Sequence, residues 1–277
     1  MSAREEISFL VGSESRIAIL KALQSSPSRP SELAAACSCA RETAQRTVSA
    51  FAEKGWVEKQ TDSGTYALTA AGSVVADSYD EFETTVAVAD SLSVLLSNLG
   101  TIVSDLDPTI LHRLHGATAT DDDPHAPINR FLTVVGDDYV DDFRGITPIV
   151  SRVFNQAAER VIGPDSNIEL VIDERVYETS VSEYPDDLQR AFELDQFQLF
   201  VSATKLDFGL MLVDNHAFLG AYDQHGNLIA SVDGTDEAFV EWAEQTYQQY
   251  RADADAPSAV EEITPESGVT HGSANDK

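Results

Sequence analysis

The chain has 277 residues, 43% of them apolar, which is enough for two domains with buried cores. Its 18 basic and 47 acidic residues give a formal net charge of −29, which opposes binding to any polyanion. No apolar run is long enough to span a membrane, the N-terminus is too polar for a signal peptide, and two cysteines cannot staple a scaffold. We therefore expect a cytoplasmic protein with no membrane partner.

The negative charge is unevenly distributed. Residues 1–72 contain eight basic and eight acidic residues, so the whole deficit lies in the rest of the chain. A neutral segment in so acidic a chain indicates a domain that faces nucleic acid. The excess of short carboxylates over lysine is typical of a halophilic cytoplasm, where molar salt shortens the screening length to about 3 Å. The alternative is an ordinary acidic protein with a disordered acidic tail.

Apolar residues at helical spacing predict a first helix over 5–23, although Gly12 and Ser13 interrupt its early part. A proline-containing break ends it. A short helix, a tight turn and a longer helix then follow up to Trp56, and Gly55 is expected to cap the last of these helices.

The longer helix, predicted over 40–54, has two different faces. One face consists of three apolar residues at helical spacing, namely Ala44, Val48 and Phe51. The other face carries side chains of the types that contact phosphates and base edges in a DNA major groove. These residues are Arg41, Thr43, Gln45, Arg46 and Ser49. A hairpin predicted over 57–68, with the tip TDSGT, forms a wing whose Lys59 and Gln60 could contact the phosphate backbone or the minor groove. We therefore predict a winged helix-turn-helix that binds double-stranded operator DNA.

Cys37 and Cys39 fall in the turn of this motif. The structural interpretation is that they pack as small apolar groups, as free cysteines usually do. The functional alternative is a redox-responsive regulator, in which oxidation distorts the turn and releases DNA. Alternate residues place the Cβ atoms poorly for a direct disulfide, so an intermolecular bond is the more plausible route.

A long helix is predicted over 70–98, with Thr69 as its N-cap. Its apolar stripe consists of Val75, Tyr79, Phe82, Val86, Ala89, Leu92, Leu96 and Leu99. Such a stripe must be buried against something, either the chain's own winged helix or a second copy. We expect a homodimer and assign residues 73–100 to a linker and dimerisation helix that follows the DNA-binding domain of residues 1–72.

Helical and strand patterns alternate over residues 101–252 and predict an α/β domain with a mixed sheet. This region is expected to include a hairpin that turns at Asp214 and Asn215, and a polar loop over 115–127. The segment 253–277 lacks periodicity and is expected to be a disordered acidic tail.

No constellation in the sequence indicates catalysis or a cofactor. Glycine loops that cradle phosphates and a nucleophile elbow are both missing. Three consecutive acids, Asp121, Asp122 and Asp123, lack the spacing of a calcium loop. His112 and His115, three residues apart on a predicted helical face, could hold a metal but have no second pair of ligands. We therefore predict a protein that is not an enzyme and has no metal site.

The segments ISFLVGSESRIAILKAL, EKGWVEK, YALTAAG, DPHAPINRFL, FRGITPIVS, IELVIDERV, LDFGLMLVDNHAFLGAYD and EAFVEWAEQTYQQYR lie between Glu6 and Arg251. Together they resemble a family of archaeal regulators, abundant in halophiles and related to the methanogenesis regulatory protein. In that family an ArsR-like winged helix is joined to a so-called middle domain. The resemblance implies a transcription regulator with a C-terminal sensor of undefined effector. The alternative is a ligand-binding or protein-interaction module with weak DNA binding.

The segments IELVID and LMLVDNHAFLG also resemble a phospholipase-D-like scaffold found in some archaeal regulators. In active members, a His and a Lys two residues apart precede an aspartate at the place of Asp214. Asp207 and Gly209 occupy those places here, which implies a sensor or oligomerisation module without catalytic residues. Ala40 is a second departure, since a Ser or Thr N-cap is usual at that place in helix-turn-helix motifs.

Overall fold

The computed structural model describes residues 2–104 and 106–257. Contacts within the chain define two compact units, of which the first ends at Ala87 and the second begins at Val88. Each unit has a hydrophobic core of its own. None of the described helices is both long and apolar enough to cross a membrane. Most of the tail predicted over 253–277 lies outside the described residues.

The N-terminal unit, as far as it is described, consists of helices and one small hairpin. Its elements are α1 (Ala3–Val11), α2 (Glu14–Ser25), α3 (Pro30–Ala36), α4 (Arg41–Glu53), β1 (Val57–Lys59), β2 (Tyr66–Leu68) and α5 (Ala70–Ser91), the last of which continues into the second unit. The helix predicted over 5–23 is divided at the predicted interruption, because Gly12 ends α1 and Ser13 precedes α2. The prediction of a helix–turn–helix and hairpin is confirmed.

The core of the N-terminal unit is built from the apolar faces of α2, α3 and α4. Val48 and Phe51 are fully buried on α4, as their spacing predicts. Gly55 follows the end of α4 with a φ of 74°, the left-handed conformation that ends many helices. The chain thereby returns Trp56 onto Phe51, with 5.5 Å between the ring centroids.

The helix predicted over 70–98 is interrupted near its end. The Thr69 hydroxyl accepts a hydrogen bond from the Gly72 amide at 3.1 Å, which confirms Thr69 as the N-terminal cap. Leu92, with φ −99° and ψ 12°, leaves the helical conformation and separates α5 from α6 (Ser93–Leu99). Leu92 and Leu95 are buried in the core of the C-terminal unit, so this part of the predicted stripe packs within the chain.

The C-terminal unit alternates helices and strands, as predicted. After α6 its described elements are a short 3-10 helix (Ile110–Arg113), β3 (His115–Thr118), α7 (Ala126–Val135), β4 (Val140–Ile146), α8 (Arg152–Val161), β5 (Ile162–Asp173), α9 (Glu174–Glu183), α10 (Pro185–Phe192), β6 (Phe197–Ser202), β7 (Phe208–Val213), β8 (His216–Tyr222), β9 (Leu228–Gly234), α11 (Glu237–Ala252) and β10 (Ala254–Asp255).

Eight described strands form one mixed sheet in the order β10-β6-β5-β4-β7-β8-β9-β3. Strands β4, β5 and β6 are parallel to one another, and the remaining neighbours are antiparallel. Strands β7 and β8 form the predicted hairpin, which turns at Asp214 and Asn215. The prediction of a mixed sheet is confirmed, while the resemblance to a phospholipase-D-like scaffold stays a prediction.

Helices cover both faces of this sheet. Every residue of the central strand β7 is buried, which fits its wholly apolar sequence FGLMLV. Leu210 and Leu212 point to the face covered by α6 and α11, whereas Met211 and Val213 point to the face covered by α7 and α8. Helices α9 and α10 lie beside α7 and α8 on that second face.

Two edge strands correct the sequence-based predictions. The segment predicted as a polar loop contains β3, which pairs with β9. The segment predicted as a disordered tail begins with β10, which pairs with β6 and buries Ala254. Both strands are short and rich in small or polar residues, so their own sequences show no alternation and only the partner strand defines them.

Candidate nucleic-acid interface

Helix α4 presents most of the predicted DNA-contacting side chains to solvent. Arg41, Gln45, Arg46 and Ser49 are exposed, while Thr43 is half-buried beside the core. The Gln45 amide donates to the Ser49 hydroxyl at 3.3 Å, which aligns two polar groups along the outer face. The structure thus brings these residues together on one helix face. Their contact with DNA stays a prediction.

The turn between α3 and α4 leaves the beginning of α4 without a side-chain cap. Ser38 has a φ of 51° and makes the sharp change of direction. Ala40 is the N-cap residue, and no side chain accepts from the first turn of the helix. Ser38 therefore does not replace the missing cap. Uncapped amide groups at a helix N-terminus attract anions, so a DNA phosphate could satisfy them.

The wing is tied to the helical part of the unit by a contact that the sequence does not reveal. Arg29 donates from Nε and Nη2 to the Ser63 carbonyl at the wing tip, at 3.1 and 2.9 Å. Gln60 Oε1 accepts from the Thr65 hydroxyl at 2.8 Å, so this side chain also stabilises the tip. Lys59 is exposed at the end of β1. Arg29 and Ser63 are far apart in the chain, and therefore no local pattern could have paired them.

Charge pairing in the N-terminal unit leaves the cations of α4 and the wing without acidic partners. Lys21 binds Asp80 and Glu83 at 2.9 and 2.6 Å, and its hydrogen bonds to these carboxylates raise its pKa above the ordinary value. Lys54 likewise pairs with a carboxylate of α1. Within residues 2–104 and 106–257, no carboxylate lies within ion-pair distance of three cations on α4 and the wing, namely Arg41, Arg46 and Lys59.

Cys37 and Cys39 are free, half-buried and packed against the core of the N-terminal unit. Burial, followed by the neighbouring Cys39 thiol, raises the pKa of Cys37 above its ordinary value. A raised pKa lowers the thiolate fraction and hence the reactivity of the thiol. This geometry favours the packing interpretation over the redox alternative.

The part of the long apolar stripe that lies on α5 remains exposed. Phe82 and Val86, four residues apart on one helix face, are 62% and 51% exposed. The residues that precede them in the stripe, Val75 and Tyr79, pack against the N-terminal core. The stripe is therefore divided between contacts inside the chain and an apolar strip that faces solvent.

The C-terminal unit contains a buried charge cluster on the α7 side of the sheet. Asp233 is fully buried and accepts from Arg130 Nε and Nη2, both at 2.5 Å, and from His216 Nε2 at 2.7 Å. Burial alone would raise the pKa of Asp233, but the hydrogen bonds from His216 and Arg130 outweigh it and hold the pKa below its usual value. The arrangement satisfies a buried carboxylate and fastens α7 to the sheet.

Two other carboxylates at strand ends, Asp214 and Asp173, also have structural partners. Asp214 accepts from the amides of Asp141 and Asp142, both at 3.1 Å, in a turn where its own φ is 49°. Asp173, which ends β5, accepts from the Val176 amide and caps α9. Both side chains therefore hold the fold together at strand ends.

The candidate metal ligands do not form a site in the described residues. The structure groups no three His, Cys, Asp or Glu side chains there in a way that could hold a metal ion. The placement of His112 and His115 on one helical face is wrong, because the 3-10 helix ends at Arg113 and His115 begins β3. Asp121, Asp122 and Asp123 are exposed in the loop before α7.

The chain is similar to two known families. Residues 124–253 match the family model of the methanogenesis regulatory protein FilR1, middle domain, and residues 4–91 match that of the HVO_A0261 N-terminal domain. No curated protein sequence is significantly similar to this chain.

Several solved structures are also similar. TrmBL2, an archaeal chromatin protein described as showing a novel mode of DNA binding, is 12% identical over 87% of this chain and 93% of its own, with a TM-score of 0.38. HmgR from Pseudomonas aeruginosa is 12% identical over 86% and 95%, with a TM-score of 0.24. The N,N-8-amino-8-demethyl-D-riboflavin dimethyltransferase RosA from Streptomyces davawensis is 12% identical over 72% of this chain and 64% of its own, with a TM-score of 0.24. These TM-scores are too low to establish a shared overall fold.

Proposed function

We propose that this chain is a DNA-binding transcription regulator of a salt-loving archaeon, in which α4 and the wing bind operator DNA and the C-terminal unit senses an effector. The match of residues 124–253 to the middle domain of a regulatory protein supports the regulatory role. The observation that carries DNA binding is the group of exposed cations on α4 and the wing, namely Arg41, Arg46 and Lys59, which have no acidic partner among the described residues.

In this proposal α4 enters the major groove with its first two turns. Arg41 and Arg46 contact phosphates or guanine edges, and Gln45 contacts an adenine edge, which are the pairings that their donor geometry allows. Lys59 on the wing contacts the backbone beside the groove. Molar salt weakens attraction to phosphates, so direct base contacts and shape carry a larger share of the affinity than in a dilute cytoplasm.

The test begins with selection of bound duplexes from a random pool by the full-length protein in molar KCl. Fluorescence anisotropy on the selected duplex then compares Arg46→Ala with the control Arg4→Ala. Arg4 is also exposed on the N-terminal unit, and it too has no ion pair among the described residues. Loss of a base contact costs about 1–3 kcal/mol, so Arg46→Ala should weaken binding by about tenfold or more with an unchanged melting temperature. Equal affinities for both variants would refute the placement of α4.

We further propose that two copies pair through the exposed strip of α5. A monomer gains little from two large apolar side chains at i and i+4 that face water, whereas a helix pair buries both. Phe82→Ser should convert the protein to a monomer in sedimentation equilibrium. The control is Ile7→Ser on α1, since Ile7 is also 62% exposed. A dimer that survives Phe82→Ser would place the interface elsewhere.

We propose no catalytic role for the C-terminal unit. Its notable carboxylates are already committed: Asp173 caps a helix, Asp214 binds two backbone amides, and Asp233 binds Arg130. The second candidate function is a ligand-binding or protein-interaction module with weak DNA binding. Comparison of the DNA affinity of the full chain with that of residues 1–100 separates the two candidate functions. If the chain is a DNA-binding regulator, the fragment loses the response to an effector but keeps the DNA contacts of α4.

A further inference from the structure

The C-terminal unit contains an apolar cavity of about 710 Å³ between the sheet and helices α7–α10. Strands β4 to β8 form its floor, and the four helices form its walls. Its lining is rich in phenylalanine, including Phe131, Phe143, Phe154, Phe197 and Phe218. The volume lies in the range of pockets that hold small organic ligands, about 300–1,000 Å³.

The cavity interrupts what would otherwise be one hydrophobic core. On the α6 and α11 face the described buried residues form a single cluster, whereas on this face they form two, one under α7 and α8 and one under α9 and α10. The cavity borders both clusters. Protein interiors normally pack at the density of organic crystals, and a void forfeits dispersion contacts along its whole wall. This hollow is partly open to solvent, so its apolar wall stays in contact with water unless a ligand covers it.

Two glycines on the cavity floor make room for neighbouring side chains. Gly145 on β4 and Gly209 on β7 both line it and are both buried. A side chain at Gly209 would collide with Tyr222, since a Cβ there would lie 2.9 Å from Tyr222 Oη. Glycine inside a strand often marks a close approach of backbone to a ligand or another group.

Tyr222 supplies the cavity with one polar group that has no partner. No hydrogen bond of Tyr222 Oη to another described residue is present, although the ring is half-buried and lines the cavity. Burial raises the pKa of Tyr222 above its ordinary value, so the hydroxyl stays protonated. A hydroxyl without a protein partner on an apolar wall offers a ligand one hydrogen bond.

The cavity rim disfavours an anionic ligand. Arg190 is the one cation in the lining formed by described residues, and it binds Glu159 at 2.9 Å and Asp187 at 2.5 Å. Asn155 donates to Asp187 at 2.8 Å, and Glu193 adds a further carboxylate. No free positive charge in this lining would neutralise a buried carboxylate or phosphate, and a bare buried anion is very unfavourable.

We propose that this cavity binds an uncharged, largely aromatic small molecule whose single hydrogen-bonding group pairs with Tyr222 Oη. The role of that molecule as an effector rests on the proposed function of the chain as a regulator, but its binding does not. The stacked and edge contacts that phenylalanine rings make with aromatic ligands favour this class over a linear chain.

Two matched fluorescent probes test the chemical class. N-phenyl-1-naphthylamine is neutral and has one N–H group, and 8-anilino-1-naphthalenesulfonate has the same rings with an added sulfonate. Titration of the full-length protein without DNA should show saturable 1:1 binding of the neutral probe and at least tenfold weaker binding of the anionic one. Absence of saturable binding, or equal or tighter binding of the sulfonate, overturns the proposal.

Variants place the probe in the cavity. Ala158→Phe on α8 fills the lining and should abolish binding, whereas Val153→Phe adds the same ring to an exposed position of that helix outside the lining and should leave it intact. Ala191→Phe on α10 repeats the test if Ala158→Phe fails to fold. Tyr222→Phe should weaken binding by about tenfold without lowering the melting temperature. Normal binding by a filled and folded variant, or by Tyr222→Phe, contradicts the site.

Ligand binding and DNA binding can be tested independently of each other. Probe binding depends on residues of the C-terminal unit, and DNA binding depends on α4 and the wing. If the neutral probe does not bind while Arg46→Ala still weakens DNA binding, the ligand proposal alone is wrong. If the probe binds and the selected duplexes show no dependence on Arg46, the regulator proposal alone is wrong.

Discussion

The Tyr222 ring lies against the backbone of Gly209, so closely that a Cβ at position 209 would be 2.9 Å from both Tyr222 Cε2 and Oη. The two residues sit on neighbouring strands β7 and β8, on the face that bears the cavity. Gly209 is also the position at which the resemblance to phospholipase-D-like enzymes places a lysine. The absence of a side chain at Gly209 makes room for the tyrosine.

Gly209→Ala should therefore displace the Tyr222 ring and cost about 1–3 kcal/mol of unfolding free energy, as overpacking does. The cost should disappear in a Tyr222→Leu background, because the clash involves only the far end of the ring. Urea unfolding of the four proteins of this double-mutant cycle measures the coupling. An equal cost in both backgrounds would mean that position 209 needs glycine for its backbone conformation and not to make room for the Tyr222 ring.

Ala40→Ser should stabilise the N-terminal unit by about 1 kcal/mol. Ala40 has φ −66° and ψ 145°, the extended conformation in which a serine hydroxyl accepts from the first turn of a helix. Ala35→Ser, the same change at an exposed position inside α3, lacks an amide to cap and should be slightly destabilising. Thermal unfolding compares the stability of the two variants. An equal increase in melting temperature for both would show that capping is not the cause.

Asp233→Asn should destabilise the C-terminal unit by about 3 kcal/mol, because Arg130 keeps its charge and loses its carboxylate. The pKa of Asp233 is held below its usual value, so its contribution to stability is present above about pH 4 and lost as the pH falls through the folded-state pKa. Unfolding measured from pH 7 down to pH 3 should show a shallower acid dependence for the variant. If the stability of the variant depends on pH as steeply as that of the wild type, Asp233 does not contribute to the acid dependence.

Replacement of both Cys37 and Cys39 by serine should leave the response of DNA binding to peroxide unchanged, since the raised pKa of Cys37 keeps its thiol protonated and slow to oxidise. Anisotropy on the selected duplex, before and after peroxide, measures the effect. Release of DNA by the oxidised wild type, but not by the double variant, would establish the redox alternative.

Local patterns in the sequence predict the N-terminal unit well. The 4- and 3-residue spacing of Ala44, Val48 and Phe51 identifies the buried face of α4, and the three are indeed fully buried. The Asp214–Asn215 turn is predicted by the same kind of local signal. These features depend on neighbours within a few residues, which is the range in which a periodic pattern is informative.

Features that depend on distant partners were missed. The Arg29 contact to the wing tip, the edge strand β3 and the apolar cavity all join segments that are far apart in the sequence. For Phe82 the periodicity indicates an apolar face but not what covers it, and within the described chain nothing does. A sequence shows which side chains need burial, whereas the three-dimensional arrangement decides where packing fails to fill the space.

The large sequence separation between β3 and its partner β9 affects how the sheet forms during synthesis. Strand β3 pairs only with β9 in the described sheet, and the register joins His115 to Asp233 and Thr118 to Ala230. A ribosome releases β3 more than 100 residues before its partner, as the numbering of these pairs shows. Strand β3 therefore has no partner in the sheet until β9 has been synthesised, whereas β4, β5 and β6 can pair with one another earlier. Pairing over so long a sequence separation carries a large loop-closure entropy, which slows the addition of this edge strand to the sheet.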